Sequence, residues 1–143
     1  MTITDLGPEL LATIARLHRW ATAHAELEIA PAHARLLSQV EATGPARTSE
    51  LARADHCSQP TMTTQLHRLE QLGWVTRLAD PTDGRASLVQ ITPDGRSVLE
   101  RVRRAREQAI APLLEQLSAD ERRQLSDGLT VVRRLMTLDT QPA

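Results

Sequence analysis

The sequence contains no Phe, Tyr, Lys or Asn, and it has a single cysteine, Cys57. With one thiol the chain cannot form an intramolecular disulfide or a four-thiol metal site, which favours a reducing, cytoplasmic location. Apart from histidine, Trp20 and Trp74 are its only aromatic residues. Two residues are too few for the stacking platforms of RNA-binding sheets and single-strand grooves, so we expect neither kind of site.

Long apolar segments are also lacking. The longest uninterrupted run, Ala109–Leu114, has six residues, whereas a membrane-spanning helix needs about 20. The opening segment MTITDLGPE lacks the basic region and apolar core of a secretory signal. Hydrophobic residues make up 41% and charged residues 24% of the chain, which is typical of a folded protein. We therefore predict one domain over residues 1–143 with no membrane partner.

Charge of one sign does not dominate. All 17 basic residues are Arg, 18 residues are acidic, and the formal net charge is -1. This balance neither requires nor excludes nucleic acid as a partner, because binding depends on where the charges lie. Each Arg is a permanently charged fork that suits phosphate and guanine contacts.

The first half of the chain shows helical spacing of its apolar residues. The spacing predicts one helix over about Pro8–Glu26 and a second from Pro31 to the Gly44-Pro45 pair. Thr48 is expected to be the N-cap of a short third helix that extends to about Asp55.

A fourth helix and a hairpin follow. Ser58 is a good N-cap for that helix, and Gly73 is typical of its C-terminal end. Two short runs, Val75–Leu78 and Leu88–Ile91, flank the segment DPTDGR, whose Asp-Pro and Asp-Gly pairs favour turns. They predict a two-stranded hairpin with an exposed tip.

Two longer helices complete the pattern. Thr92 caps a fifth helix in which Pro112 is expected to introduce a kink, and Ser118 with Glu121 has the spacing of a capping box for a sixth. The predicted fold is mainly α, with α+β character only in the small hairpin. It is a winged helix-turn-helix over about residues 32–92, with long N- and C-terminal dimerisation helices over about 6–28 and 93–138. Their apolar faces are most simply covered by a symmetric second copy.

The fourth helix has a polar face. With Met62, Leu66 and Leu69 turned inward, helical geometry turns the intervening residues outward. Hydroxyl, amide and guanidinium groups can read bases in a major groove, and residues at a helix start can contact phosphate. The predicted DNA-binding residues of this helix are Ser58, Gln59, Thr61, Thr64, Gln65 and Arg68. The alternative is that this face is simply solvated.

Two segments, TSELARADHCSQPTMTTQLHRLEQLGWVTR and DPTDGRASLVQITPDG, resemble the MarR-type (multiple antibiotic resistance) transcriptional regulators. The resemblance implies an obligate homodimer that binds pseudo-palindromic double-stranded DNA, is released by a small ligand or an oxidant, and is not an enzyme. It also implies that Arg85 is the wing arginine that enters the minor groove and that Asp83 orients it. Gly84 stands where many relatives carry a further Arg, so this wing is expected to hold DNA less tightly.

The same resemblance implies a ligand pocket where the terminal helices meet the DNA-binding lobe. Its walls would come from the first, second and fifth helices. The residues at matching positions are His18, Trp20, His33 and Arg35, with Arg16 as a partner for an anion. For each of them the alternative is ordinary packing or a solvated charge.

Other reactive residues give weaker signals. Cys57 precedes the fourth helix, where a thiol can be a redox sensor, but a buried cysteine is more often an inert small apolar residue. The five histidines lack metal-ligand spacing, and no phosphate loop or nucleophile elbow is present, so we predict no metal and no cofactor. The basic run from Arg101 to Arg106 is expected to be a solvated face or a dimer salt-bridge surface, with phosphate contact as a weaker alternative.

The function predicted from these features is that of a homodimeric, ligand-responsive repressor that reads duplex DNA. Two alternatives stay open. One is a winged-helix protein-interaction module without DNA reading, because the segment from Gly44 to Ser97 carries six Arg and six acids and is neutral. The other is a thiol-based regulator that responds through Cys57.

Overall fold

The computed structural model describes residues 1–138, which form six helices and one antiparallel pair of strands. Residues 139–143 of the predicted domain lie outside the described residues. In chain order the elements are α1 (Ile3–His24), α2 (Pro31–Thr43), α3 (Thr48–Ala54), α4 (Gln59–Gln71), β1 (Val75–Ala79), β2 (Ser87–Ile91), α5 (Pro93–Glu115) and α6 (Ala119–Leu138).

The first helix begins at Ile3, so the predicted start at Pro8 was wrong. Asp5 explains the earlier start, because its carboxylate accepts hydrogen bonds from the backbone N–H and the hydroxyl of Thr2, at 3.2 and 2.7 Å. This bond back to the N-cap satisfies a donor that the first turn would otherwise leave free. Pro8 lies inside the helix, which continues at the loss of one backbone hydrogen bond.

The third helix is capped by Arg47 and not, as predicted, by Thr48, which is its first helical residue. The shift follows from the residue before it. Ala46 is extended, because it pairs with Val89 in an isolated antiparallel bridge with N···O distances of 3.1 and 2.8 Å. The chain therefore leaves the bridge and enters the helix at Arg47, whose carbonyl accepts the first helical hydrogen bonds.

The other predicted caps are confirmed. The hydroxyl oxygens of Ser58 and Thr92 accept hydrogen bonds from the backbone N–H three residues later, at 3.2 and 3.1 Å. Ser118 and Glu121 form the reciprocal pair of a capping box, at 2.8 and 3.1 Å. The fifth helix continues past Pro112 to Glu115.

The core lies beneath α4. Met62, Leu66 and Leu69 of this helix are fully buried. They pack with apolar residues of α2, α3, the two strands and the start of α5, which include Leu36, Leu37, Val40, Leu51, Ala52, Val75, Val89, Val98 and Leu99. One face of α4 is thereby fixed against the centre of the lobe, and its other face is held at the surface.

A tight C-terminal turn joins α4 to the hairpin. Gly73 has a φ of +78°, a left-handed conformation that glycine adopts without strain. The N–H groups of Gly73 and Trp74 donate to the carbonyls of Glu70 and Leu69, both at 3.0 Å. This Schellman pattern ends the helix and directs the chain into β1.

The hairpin is the wing of the fold. Val75 of β1 lies opposite Ile91 of β2, and Ala79 lies opposite Ser87, so residues 80–86 form the loop that joins the strands. Together α2, α3, α4 and the hairpin form a winged helix-turn-helix, which confirms the predicted fold class.

The terminal helices leave apolar faces open. The sixth helix contributes no buried residue, and Ala21 is the buried residue of α1. Leu129 and Met136 of α6 are 46% and 71% exposed, and Ile14 and Leu17 of α1 are 46% and 48% exposed.

We expect Gly95→Ala to lower the free energy of unfolding by about 1–3 kcal/mol, although alanine favours helix more than glycine does. A Cβ at Gly95, in the first turn of α5, would overlap the backbone carbonyl oxygen of Trp74 and lie 2.8 Å from Cγ1 of Ile91. Gly84→Ala is the matched control, because a Cβ there has no neighbour within 4 Å. Urea unfolding measures both; a Gly95→Ala variant as stable as wild type would contradict the packing of α5 on Trp74.

Candidate nucleic-acid interface

The outer face of α4 carries the predicted base-reading residues. Ser58, Gln59, Thr61, Thr64 and Arg68 are exposed, and Gln65 is half-buried at the edge of the face. The hydroxyl of Thr64 donates to the Pro60 carbonyl at 3.1 Å, and those of Ser58 and Thr61 bond to each other at 2.8 Å. These hydroxyls are oriented by hydrogen bonds within the helix and its cap.

A groove of about 410 Å³ separates this face from α2. Thr61, Thr64, Gln65 and Arg68 line it from the α4 side. His33 lines it from the α2 side and makes an edge contact with the ring of Trp74, with 6.4 Å between ring centroids. The structure therefore places His33 beside the predicted DNA-reading residues and away from the groove that holds His18 and Arg35.

The wing loop presents Arg85 to solvent. Asp83 accepts a hydrogen bond from the backbone N–H of Arg85 at 3.0 Å. The contact of Asp83 is thus with the backbone of Arg85 and not with its guanidinium, so this carboxylate shapes the loop that carries the arginine.

The wing and the start of α4 lie side by side. A second groove, of about 260 Å³, is bounded by Gln59 at the start of α4, by Ala86 and Ser87 of the wing, and by Arg47 and its neighbours at the start of α3. The two predicted DNA-contacting elements therefore border the same surface.

Ion pairs neutralise some of the charged side chains of the lobe and leave others without a partner among residues 1–138. Asp55 pairs with Arg35, Glu70 with Arg77 at 3.2 Å, and Asp80 with Arg47 at 2.6 Å. Within residues 1–138, neither Arg68 nor Arg85 forms an ion pair. Three of the six acids between Gly44 and Ser97 are thus engaged with arginines. Two arginines of the predicted interface keep their charge available.

Asp80 is a buried charged residue that is not among the residues predicted from the sequence. Its side chain is 6% exposed, the hydrogen bonds from the backbone and hydroxyl of Thr82 and from Arg47 hold its pKa down to about 2, and it is therefore ionised at neutral pH. The Asp-x-Thr spacing is a local signal for the Thr82 contact. No local signal could have identified Arg47, which lies 33 positions earlier.

A residue of α2 anchors the turn between α3 and α4 through hydrogen bonds. Both oxygens of Asp55 accept hydrogen bonds from the Arg35 guanidinium, the second at 3.2 Å, and this arginine is the main cause of the lowered pKa of Asp55. His56 follows with a φ of +53°. Cys57 is half-buried against the core, and its N–H donates to the Ala52 carbonyl at 3.0 Å.

The residues predicted to bind a ligand are separated by the structure. His18 and Arg35 line a groove of about 640 Å³ between α1, α2 and α5. Arg16 instead lies 4.0 Å from Glu9 on the outside of α1, and Trp20 stacks on His24 with 4.2 Å between ring centroids. Neither Arg16 nor Trp20 lines the groove, so those two expectations lose their geometric support.

The same groove contains basic residues that the sequence argument did not select. Arg19 and Arg106 join His18 and Arg35 in its lining, whose remaining residues are small or apolar, with the hydroxyls of Thr22 and Ser38. Arg106 is half-buried, burial lowers its pKa, and it donates one hydrogen bond to Thr22 at 3.2 Å. No carboxylate lines this groove, and within residues 1–138 Arg106 has no acidic partner.

The remaining arginines of α5 are mostly paired within the chain. Arg101 contacts Glu28 at 3.2 Å, Arg103 contacts Glu41 at 2.5 Å and Arg104 contacts Glu100 at 3.3 Å. Two of these pairs tie α5 to the α1–α2 connection and to α2.

Two further findings concern residues 1–138. None of their helices is long and apolar enough to cross a membrane. Their His, Cys, Asp and Glu side chains form no group of three or more that could hold a metal ion.

The fold and the exposed polar helix beside a wing define a winged helix-turn-helix protein of the nucleic-acid-binding class. The profile of the MarR family matches residues 29–87. The chain is 31% identical over 96 residues to the multiple antibiotic resistance protein MarR of Salmonella typhimurium, with 66% of this chain and 67% of that protein covered. It is 33% identical over 94 residues to the HTH-type regulator YxaD of Bacillus subtilis, with 66% of each covered. The match to another Bacillus subtilis regulator, YdgJ, spans about half (52%) of that protein's length.

Solved structures extend the similarity over nearly the whole chain. The transcriptional regulator Tm0710 of Thermotoga maritima superposes with a TM-score of 0.79 at 26% identity, covering 98% of this chain and 99% of that one. A mutant MarR from E. coli in complex with operator DNA superposes with a TM-score of 0.58 at 26% identity, covering 91% and 94%. This chain belongs to the MarR family of transcriptional regulators.

Proposed function

We propose that this protein is a homodimeric repressor that binds pseudo-palindromic duplex DNA and is released by a small anion. DNA reading is supported chiefly by the exposed face of α4. There Arg68 forms no ion pair within residues 1–138 and is carried by a helix whose opposite face is buried. Arg85 on the adjacent wing likewise forms no ion pair in the described part of the chain. The similar structure of the E. coli MarR mutant contains operator DNA, which supports this proposal.

Each protomer would place α4 in a major groove and its wing in the neighbouring minor groove. A guanidinium can bind guanine through two hydrogen bonds, and an amide can bind adenine likewise, which gives Arg68 and Gln65 base-reading roles. Arg85 suits the narrow, electronegative minor groove. Two symmetric copies would read half-sites about one helical turn apart.

We expect Arg68→Ala and Gln65→Ala each to weaken binding to the preferred operator by about 1–3 kcal/mol and to relax sequence preference. Arg85→Ala should weaken binding more evenly across sequences, because the minor groove distinguishes bases poorly. Fluorescence anisotropy with a duplex from the protein's own upstream region measures all three.

Arg104→Ala is the matched control, since this exposed arginine pairs within α5. Unchanged affinity in both Arg68→Ala and Arg85→Ala would refute the groove assignment. Absence of duplex binding at low salt would instead favour the protein-interaction alternative.

The dimer is supported by the terminal helices, whose apolar faces stay exposed within a single protomer. The 20-residue helix α6 has no buried residue, so packing within its own protomer stabilises it little. Its apolar stripe, Leu125, Leu129, Val132 and Met136, recurs at the spacing of one helix face. A second copy would cover this stripe together with the open apolar face of α1.

We expect wild-type protein to sediment as a dimer at micromolar concentration and Leu129→Glu to shift it toward monomer, because a carboxylate would be buried in the stripe. Val131→Glu is the control, since Val131 is 60% exposed and lies off the stripe. A wild-type monomer, or equal dissociation of both variants, would contradict the assigned interface.

The effector role is supported by the basic groove between α1, α2 and α5. Its lining combines Arg19, Arg35 and Arg106 with an apolar wall that includes Ala23, Pro31 and Ala34. Such a wall with charged donors suits a small molecule that has an anionic head and an apolar body. Arg35 also holds Asp55 at the turn before α4, so an anion that draws Arg35 into the groove would loosen the support of the recognition helix.

We expect octanoate to bind and to release the protein from DNA, and octanamide, its neutral isostere, to do neither. Arg106→Gln should weaken octanoate binding by about tenfold, the value of one charge-assisted hydrogen bond, while Arg104→Gln should leave it unchanged. Isothermal titration gives the affinities and anisotropy the release. Equal binding of octanoate and octanamide, or no binding of either, would rule out an anion groove.

A further inference from the structure

Asp80 is the buried charged residue of the described chain, and it stands at the first position of the wing loop. Both of its carboxylate oxygens are used. Oδ1 accepts hydrogen bonds from the backbone N–H and the hydroxyl of Thr82, at 2.9 and 2.7 Å. Oδ2 accepts a hydrogen bond from Nε of Arg47 at 2.8 Å and forms an ion pair with its Nη2 at 2.6 Å. One side chain thus joins the wing loop to a residue of the helix-turn-helix.

Arg47 is itself firmly held. Its carbonyl accepts the first two hydrogen bonds of α3, from the N–H groups of Glu50 and Leu51, at 3.0 and 3.1 Å. The preceding residue, Ala46, is fixed by its bridge to Val89. The backbone of Arg47 therefore belongs to the rigid lobe, and only its side chain reaches the wing.

The rest of the loop has few ties to the lobe. Residues 81–85 are all exposed. The bonds from Ala86 N–H to the Asp83 carbonyl and from Asp80 N–H to the Ala86 carbonyl, at 3.0 and 3.1 Å, lie within the loop. They fix the shape of the loop but not its orientation relative to α3 and α4. Among residues 1–138, the Arg47–Asp80 pair is the side-chain contact that connects the start of this loop to α3.

We propose that Arg47 and Asp80 form a wing latch, in which Arg47 is a positioning residue that sets where the loop carries Arg85 relative to α4. The inference rests on the proposed DNA-binding function and adds a residue to it. The planar guanidinium meets Oδ2 through one charge-assisted hydrogen bond and one ion-pair contact, and this geometry restricts the carboxylate more than a mobile point charge would. Loss of the latch leaves the wing folded but frees its tip, so Arg85 reaches the minor groove less often.

The test is a double-mutant cycle of Arg47→Gln with Arg85→Ala, read as operator affinity by anisotropy. We expect each single variant to lose about fivefold to tenfold, and the Arg85→Ala loss to shrink below about twofold in the Arg47→Gln background, because contacts in one network are not additive. Asp80→Asn keeps acceptors for Thr82 and is the second variant; it should behave as Arg47→Gln does. Arg103→Gln, which breaks an ion pair between α5 and α2, is the control and should leave the Arg85→Ala loss intact.

Three outcomes would overturn the latch while wild-type protein still binds DNA. In the first, Arg47→Gln and Arg85→Ala losses are additive. In the second, Asp80→Asn binds as well as wild type, which would make Arg47 a direct phosphate contact instead. In the third, Arg85→Ala alone has no effect. Failure of the wild-type protein to bind any duplex would be a different result, since it would remove the proposed function itself.

Discussion

The burial of one face of α4 is the packing on which the functional surface depends. Met62, Leu66 and Leu69 are fully covered by the lobe, and exposing any one of them would cost about 1.5–3 kcal/mol. The helix therefore cannot rotate about its axis. Because successive residues are related by a fixed angle, the opposite face is held outward. The proposed DNA contacts thus depend on apolar contacts on the side of the helix away from DNA.

The charges of the lobe are organised by pairing and not by excess. Its six acids and six arginines cancel in number, but Asp55, Glu70 and Asp80 are each engaged with an arginine. These pairs also tie elements together: α2 to the α3–α4 turn, α4 to β1, and α3 to the wing loop. Arg68 of α4 and Arg85 at the wing tip, which form no ion pair among residues 1–138, lie where the proposed interface needs them. A neutral lobe can in this way present a locally basic surface.

The terminal helices connect the proposed dimer to the proposed reading surface. Arg101 and Arg103 join α5 to the α1–α2 connection and to α2. Arg35 of α2 in turn holds the turn that precedes α4. The basic groove lies between these elements, and Arg35 belongs both to its lining and to the Asp55 pair. A ligand with affinity for that arginine would therefore act on the support of α4 without touching the DNA-facing side chains, which is the differential contact that a switch requires.

The sequence by itself determined the order of elements, the caps at Ser58, Thr92 and Ser118 and the outward face of α4, because these depend on neighbours within a few residues. The start of α1 could also have been predicted, because the Thr2–Asp5 cap is a local pattern. Pro8 indicated a later start instead, since proline favours the first turn of a helix. Only the tertiary structure decided that Arg47 meets Asp80, that Arg106 joins Arg19 and Arg35 in one groove, and that His33 faces α4. These contacts join residues that are distant along the chain. Their proximity depends on how the whole core packs, and the spacing of residues in the sequence does not predict it.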